Sequence, residues 1–136
     1  MRLYLDASTI IYAIESLPPF RDTVIAWIMQ AEGIVGGIVI TSRLSRLECR
    51  VKPLREANAE LLAKYDEFFT RKLVSVAEIT APVIERATDL RVRYGLRTPD
   101  AVHLATAIEE HAAVFLTGDT ALARCTEVRV EVLRPR

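Results

Sequence analysis

Short apolar runs alternate with longer helical patterns along the whole sequence. Runs typical of strands occupy residues 2–5, 37–41, 73–76, 114–117 and 130–133. Helical patterns occupy residues 7–16, 20–31, 43–51, 54–69, 81–94 and 99–111, and a short helical turn follows Asp119. Because parallel strands require long crossovers, which helices supply, this alternation predicts an α/β fold. We expect a three-layer α/β/α sandwich with a mostly parallel five-stranded sheet.

The chain is long enough for one domain, and no linker divides it. It has 136 residues, of which 51% are hydrophobic and 26% charged, as in ordinary globular domains. The Pro18-Pro19 pair and the Lys52-Pro53 step are expected to break helices, but no stretch rich in Gly, Ser or Pro follows them. We therefore expect a single domain over residues 1–136.

The charge and the cysteines limit the classes of function. The 18 basic and 18 acidic residues cancel, so any binding of nucleic acid must use a local patch. Cys49 and Cys125 are far apart in sequence and are expected to be reduced thiols. The N-terminus has no basic leader with a long apolar region, and no segment reaches the roughly 18 apolar residues of a membrane span. We expect a cytoplasmic protein that does not bind membranes.

Four acidic residues stand near the ends of predicted strands or inside the helices that follow them. Asp6 directly follows the first strand, and Asp119 follows the fourth strand after one glycine. Asp100 opens the helix before the fourth strand, and Glu48 lies in the helix after the second strand. Ligands of open α/β sheets bind beyond the carboxyl ends of the strands, which makes these acids candidates for a site.

Each acid also has an ordinary structural explanation, and both interpretations stay open. Asp6 and Asp119 occupy positions where helix N-caps are expected. Asp100 follows Thr98, a candidate cap, and its charge would complement the helix dipole. Glu48 could be a solvated glutamate paired with nearby arginines.

The position of Glu48 depends on how its helix packs. Leu44, Leu47 and Val51 form one apolar stripe at helical spacing, and Glu48 borders that stripe. If the stripe faces the sheet, the Glu48 carboxylate is turned towards the end of the first strand.

Four carboxylates gathered in one site would need a cation. Two unit charges about 4 Å apart repel by about 4 kcal/mol at an effective dielectric constant of about 20. Oxygen ligands select hard ions such as Mg²⁺, Mn²⁺ or Ca²⁺ over zinc, and Mg²⁺ sites commonly act on substrate phosphates. Hydrolysis of phosphodiester bonds is the natural chemistry of such a site.

Four segments in this order resemble the PIN-domain nucleases, and within them the VapC-like toxins of type II toxin–antitoxin systems. The likeness spans almost the whole chain, and its most specific segment is residues 98–107. The segments are LYLDASTIIY at 3–12, Thr41-Ser42 followed by Glu48, TPDAVHLATA at 98–107 and LTGD at 116–119.

The resemblance implies a function, a cofactor and partners. It implies an endoribonuclease that uses Mg²⁺ or Mn²⁺ and leaves 5′-phosphate and 3′-hydroxyl ends. It also implies a cognate antitoxin that blocks the site, through a tail carrying a basic residue, and a homodimer. The metal-binding and catalytic acids that it implies are Asp6, Glu48, Asp100 and Asp119.

The resemblance further implies that Ser8 and Thr117, small hydroxyl residues beside the acids, belong to the catalytic site and orient its carboxylates or water. The chain departs from many members of the family after the fourth acid. Those members carry another acid or an aromatic residue shortly after it, whereas here no carboxylate occurs between Asp119 and Glu127. The number of metal ions is therefore left open.

RNA that approaches an acidic site needs basic residues at its rim. Arg43, Arg46 and Arg50 lie three and four residues apart on the helix of Glu48, and they are the first candidates for RNA binding. A second candidate set precedes Asp100 and consists of Arg91, Arg93 and Arg97. The alternative for both sets is a solvated charged face.

The sequence leaves alternatives to a metal-dependent nuclease. A nucleotide or small-molecule binder on the same scaffold would carry a glycine-rich phosphate loop, and the sequence has none. A metal-free nuclease would use His103 or His111 as a base. A catalytically silent PIN scaffold that binds protein or RNA is the remaining alternative.

Partner surfaces could lie at residues 20–31 or 54–69, although the aromatic residues there, Trp27, Tyr65, Phe68 and Phe69, are more typical of a core.

Overall fold

The structure, a computed structural model, describes residues 1–134, so the last two residues of the predicted domain lie outside the described residues. The strands are β1 (Arg2–Leu5), β2 (Ile38–Ser42), β3 (Val74–Ala77), β4 (Val114–Thr117) and β5 (Val130–Val132). The helices are α1 (Ala7–Ile14), α2 (Arg21–Glu32), α3 (Arg43–Arg55), α4 (Ala59–Phe69), α5 (Ala81–Tyr94) and α6 (Thr98–Glu109), and a 3₁₀ helix, η1 (Thr120–Arg124), follows β4.

The five strands form one parallel sheet in the order β3-β2-β1-β4-β5. The first strand is central, with β2 and β3 on one side of it and β4 and β5 on the other. Leu5 at the end of β1 is in register with Leu116 in β4, so both strands end at the same edge of the sheet. The predicted fold class is confirmed, and all strand pairs are parallel.

Helices cover both faces of the sheet, which explains why its strands are apolar on both sides. Leu3 and Leu5 point into a core built with α1, α2 and α4. Tyr4, between them in sequence, points into a second core built with α5 and α6. This alternation gives the predicted three layers.

One predicted helix break is wrong. Helix α3 continues through Pro53 to Arg55, whereas the sequence predicts that it ends at the Lys52-Pro53 step. Pro53 lies in the last turn, so only the end of the helix loses a backbone hydrogen bond. Asn58 then caps α4, which begins later than expected. The Pro18-Pro19 pair does separate α1 from α2.

Cys49 and Cys125 are both buried and free, as the sequence predicts. The three aromatic residues of α4, Tyr65, Phe68 and Phe69, belong to the core. Trp27 is half-buried and packs against that core. None of the helices within residues 1–134 has the length and apolar character needed to cross a membrane.

Candidate active site

Asp6 is held at the carboxyl end of the central strand by three donors. Its Oδ1 accepts hydrogen bonds from the Ser8 hydroxyl at 2.7 Å and from the Thr9 backbone N–H at 3.1 Å. Its Oδ2 accepts one from the Thr117 hydroxyl at 2.6 Å. The bond from Thr9 makes Asp6 the N-cap of α1. Asp6 is thus a helix cap whose carboxylate is also fixed by both predicted hydroxyl residues.

Thr117 joins Asp6 to Asp119. The same Thr117 oxygen that donates to Asp6 accepts a hydrogen bond from the Asp119 backbone N–H at 3.1 Å. The Asp119 carboxylate caps η1 by accepting from the Ala121 N–H at 2.9 Å. The strand order reverses between β1 and β4, and ligands of open α/β sheets bind beyond the carboxyl ends of the strands at such a point.

The glycine between Thr117 and Asp119 is needed for close packing. A Cβ atom at Gly118 would lie 3.0 Å from Cε2 and 3.2 Å from the hydroxyl of the Tyr12 ring. A side chain there would require the Tyr12 ring of α1 to shift. Gly118 therefore leaves room for this ring beside the end of β4.

The packing of α3 agrees with the predicted apolar stripe only at Leu44, which packs against the core. Leu47 is 60% exposed and Val51 is 41% exposed, whereas Ser45 and Cys49 are buried. The small residues face the sheet because α3 lies close to it. Glu48 lies next to this buried face and its side chain is 33% exposed.

His103 forms a hydrogen bond with Glu48. Nε2 of His103 lies 2.7 Å from Oε1 of Glu48, and Nδ1 lies 2.8 Å from the Tyr4 hydroxyl. The His103 residue is only 3% exposed. Both ring nitrogens are therefore occupied inside the protein, which argues against His103 as the base of a metal-free reaction. His111 lies beyond the end of α6, on the surface.

The Tyr4 hydroxyl and the Cys49 thiol are buried groups on which the charges of both Asp6 and Glu48 act. Burial raises the pKa of the Tyr4 hydroxyl well above its ordinary range, and the negative charges of Asp6 and Glu48 raise it further. Burial also raises the pKa of the Cys49 thiol, with the same two carboxylates adding to the effect. Both carboxylates thus act on the same buried groups at the end of β1.

Asp100 lies in the first turn of α6, and one predicted detail is wrong there. The N-cap of α6 is Arg97, which makes no side-chain capping bond, and Thr98 is already the first helical residue. Oδ2 of Asp100 pairs with Nε of Arg97 at 3.3 Å, and the Asp100 side chain is 18% exposed. His103 lies three residues further along, on the same face of the helix.

The four carboxylates are each engaged with protein donors. Within residues 1–134, no three His, Cys, Asp or Glu side chains form a group that could hold a metal ion as they stand. The chemistry of the donors nevertheless fits Mg²⁺ or Mn²⁺, because all four acids offer hard oxygen atoms. Mg²⁺ keeps several water ligands and usually takes only one or two carboxylates directly, so it does not require a closed protein cage.

The candidate arginines on α3 all carry acidic partners. Arg43 pairs with Glu78 at 3.0 Å, and Arg46 and Arg50 share Asp66 at 3.3 and 2.9 Å. The second set is also engaged: Arg91 donates to the Leu96 carbonyl, Arg93 pairs with Asp89 and Glu127, and Arg97 pairs with Asp100.

The sequence did not predict the hydrogen bond between Tyr4 and His103, and it suggested His103 only as a base. A polar aromatic residue inside an otherwise apolar central strand was the available signal, because a buried tyrosine hydroxyl usually has a partner. The spacing of Asp100 and His103 on one helical face was a second signal.

Comparison with known proteins identifies the family. The PIN domain family matches residues 3–128, and the chain belongs to this family. No curated protein shows a significant match to the sequence. The predicted resemblance is thereby confirmed at the level of the family.

Solved structures show the same fold. VapBC2 from Rickettsia felis, bound to a promoter DNA fragment, is similar with a TM-score of 0.80 and 17% identity, covering 97% of this chain and 98% of that chain. DNA-bound VapBC from Salmonella typhimurium is similar with a TM-score of 0.77 and 15% identity, at the same coverage of 97% and 98%. VapC20 of Mycobacterium tuberculosis, a toxin that cleaves the sarcin-ricin loop, has a TM-score of 0.70 and 20% identity, covering 93% of this chain and 98% of that chain.

Proposed function

We propose that this chain is a metal-dependent endoribonuclease and the toxin of a toxin–antitoxin pair. It hydrolyses RNA phosphodiester bonds and leaves 5′-phosphate and 3′-hydroxyl ends. The observation that carries the proposal is the link from Asp6 through the Thr117 hydroxyl to Asp119, at the edge where the two central strands end. Membership of the PIN domain family supports nuclease activity at this site.

In this proposal Asp6, Glu48, Asp100 and Asp119 hold Mg²⁺ or Mn²⁺. When bound, the cation supplies positive charge that stabilises the developing charge on the phosphate. The protein's part is to orient the ligands. The hydroxyls of Ser8 and Thr117 fix the two oxygens of Asp6, and His103 fixes one oxygen of Glu48.

RNA would reach the site along α3. Arg43 is exposed and Arg46 and Arg50 are partly exposed, and all three are paired with Glu78 or Asp66. Phosphate would have to replace these carboxylates as the partner of the guanidinium groups, which arginine's planar fork allows. Such exchange favours a polyanion that can occupy several arginines at once.

The proposal includes a protein partner, an oligomeric state and a cellular location. Similar folds occur in VapBC complexes, which supports a cognate antitoxin for this chain as well. An antitoxin tail with a basic residue would be attracted to the acids around Asp6. We further propose a homodimer of a cytoplasmic protein, with each copy forming one PIN-like domain over residues 1–136.

RNA cleavage by the purified protein tests the proposal. We expect cleavage with Mg²⁺ or Mn²⁺, none with EDTA, and loss of cleavage in Asp6→Asn. Asp22→Asn is the matched control, because Asp22 is an exposed aspartate in the first turn of another helix. Cleavage that persists in EDTA or leaves 2′,3′-cyclic phosphate ends would contradict the proposal. Metal-independent RNA or antitoxin binding without any cleavage would instead support the catalytically silent scaffold.

A further inference from the structure

We propose that His103, oriented by Tyr4, is a positioning residue that fixes the carboxylate of Glu48 for the site at the end of β1. The inference rests on the proposed function, because it takes Glu48 as one of the metal-binding acids. Two hydrogen bonds, one buried and one partly buried, link the central strand through α6 to α3.

The hydrogen bonds have only one consistent direction for a neutral imidazole. An ionised Glu48 can only accept, so Nε2 of His103 must carry the hydrogen that is shared with Oε1. Nδ1 then offers a lone pair, which accepts the hydrogen of the Tyr4 hydroxyl. Tyr4 is completely buried, and its hydroxyl carries the one hydrogen that this contact needs.

Tyr4, at which this series of hydrogen bonds begins, is held rigidly in the core. Tyr4 lies in the central strand, where its ring is stacked on that of Phe115, with 5.1 Å between centroids and 9° between planes. His103 packs edge-on against Tyr4 at a centroid distance of 6.0 Å. Neither ring can turn without disturbing the core, so the Nε2–H group has a fixed direction.

Glu48 needs such an anchor because its side chain is long and one-third exposed. A free glutamate loses rotamer entropy when it binds a ligand, and a hydrogen bond that already fixes one oxygen reduces this cost. Among residues 1–134, no protein hydrogen bond to Oε2 of Glu48 is found, so this oxygen is available to a ligand. Partners that orient metal-binding carboxylates typically change metal affinity or activity 10- to 100-fold when they are removed.

Binding of Mn²⁺, followed by calorimetry or electron paramagnetic resonance, tests the inference without relying on turnover. We expect His103→Leu to weaken Mn²⁺ binding about 10- to 100-fold. His103→Gln, whose amide can still donate near the position of Nε2, should recover most of the affinity. Tyr4→Phe, which leaves His103 without its hydroxyl partner, should fall between the two. His111→Asn is the control and should bind Mn²⁺ like the parent protein.

The outcomes separate this inference from the proposed function. If the parent binds Mn²⁺ and cleaves RNA while His103→Leu binds equally well, the positioning role is wrong and the nuclease proposal stands. If the parent neither binds Mn²⁺ nor cleaves RNA, both proposals fall. Should His103→Leu not fold, unchanged affinity in a folded Tyr4→Phe would overturn the positioning role. Nitrogen-15 spectra of His103 must also show the hydrogen on Nε2, and a neutral ring with its hydrogen on Nδ1 would overturn it.

Discussion

The Thr117 hydroxyl donates a hydrogen bond of 2.6 Å to the Asp6 carboxylate, although the two residues are 111 positions apart in the sequence. The parallel pairing of β1 with β4 makes this contact possible, because Leu5 and Leu116, the residues just before them, are in register. The contact is therefore a consequence of the strand order. It gives the site a fixed carboxylate before any ligand arrives.

Removing the Thr117 hydroxyl should destabilise the fold and lower activity. In Thr117→Val, Oδ2 of Asp6 loses its hydrogen-bond donor and the Asp119 N–H loses its acceptor. The first of these hydrogen bonds is buried and the second is partly buried. Leaving such groups unpaired costs roughly 1–3 kcal/mol. Urea unfolding and RNA cleavage measure the two effects. Thr117→Ser keeps the hydroxyl, and a loss in this control as large as that in Thr117→Val would contradict the role of the hydrogen bonds.

Mg²⁺ should stabilise the parent protein more than Asp6→Asn. A ligand at a hundred times its dissociation constant stabilises the folded state by about 2.7 kcal/mol. Asparagine can still cap α1 as Asp6 does, so the variant should fold without metal while its response to Mg²⁺ is much smaller. Thermal melts with EDTA and with excess Mg²⁺ measure this. Asp22→Asn should respond like the parent, and equal shifts in all three proteins would remove Asp6 from the metal site.

Much of the fold follows from the sequence because hydrophobic periodicity is local. The strand at Arg2–Leu5 and the helix at Ala81–Tyr94 have the predicted bounds. The end of α3 is not at the predicted residue, because Pro53 removes one backbone hydrogen bond but the helix still continues to Arg55.

The candidate site is less accessible to sequence reasoning. The neighbours of Asp6 could be expected because Ser8 is close in sequence and Thr117 ends a strand beside β1. The contact between Glu48 and His103 could not be expected, because it depends on which face of α3 meets the sheet. The apolar stripe indicated this face only in part, since Leu44 packs against the core but the small residues Ser45 and Cys49 are buried in place of Leu47.

Acid should weaken the contacts that Glu15, at the end of α1, makes with Tyr65 of α4 and Lys52 of α3. Burial alone would raise the Glu15 pKa, but hydrogen bonds from Tyr65 and Lys52 and the charge of Lys52 outweigh it and lower the pKa. A lowered folded-state pKa means that this stabilisation is complete above the ordinary glutamate value of about 4.3 and is lost as the pH falls below it. The parent should therefore lose more stability between about pH 5 and pH 3 than Glu15→Gln.

Urea unfolding at a series of pH values measures this difference. Glu60→Gln is the control, because Glu60 is an exposed residue of α4 whose side chain is 85% accessible. Its acid response should follow that of the parent. A Glu15→Gln protein that loses stability as steeply as the parent would show that the bonds from Tyr65 and Lys52 do not stabilise the charged carboxylate.

Replacing the arginines of α3 should weaken RNA binding and reduce its dependence on salt. Neutralising a phosphate releases counterions, so the slope of log affinity against log salt should decrease by about 0.7 for each phosphate of single-stranded RNA that a variant no longer neutralises. Arg46 and Arg50 share Asp66, so either single variant leaves that carboxylate paired. We expect Arg43→Ala, Arg46→Ala and Arg50→Ala to weaken binding and reduce its salt dependence for any RNA sequence.

Arg129→Ala is the control, since Arg129 precedes β5 at the opposite edge of the sheet. If the three variants and the control give the same affinity and slope as the parent, α3 is only a solvated charged face.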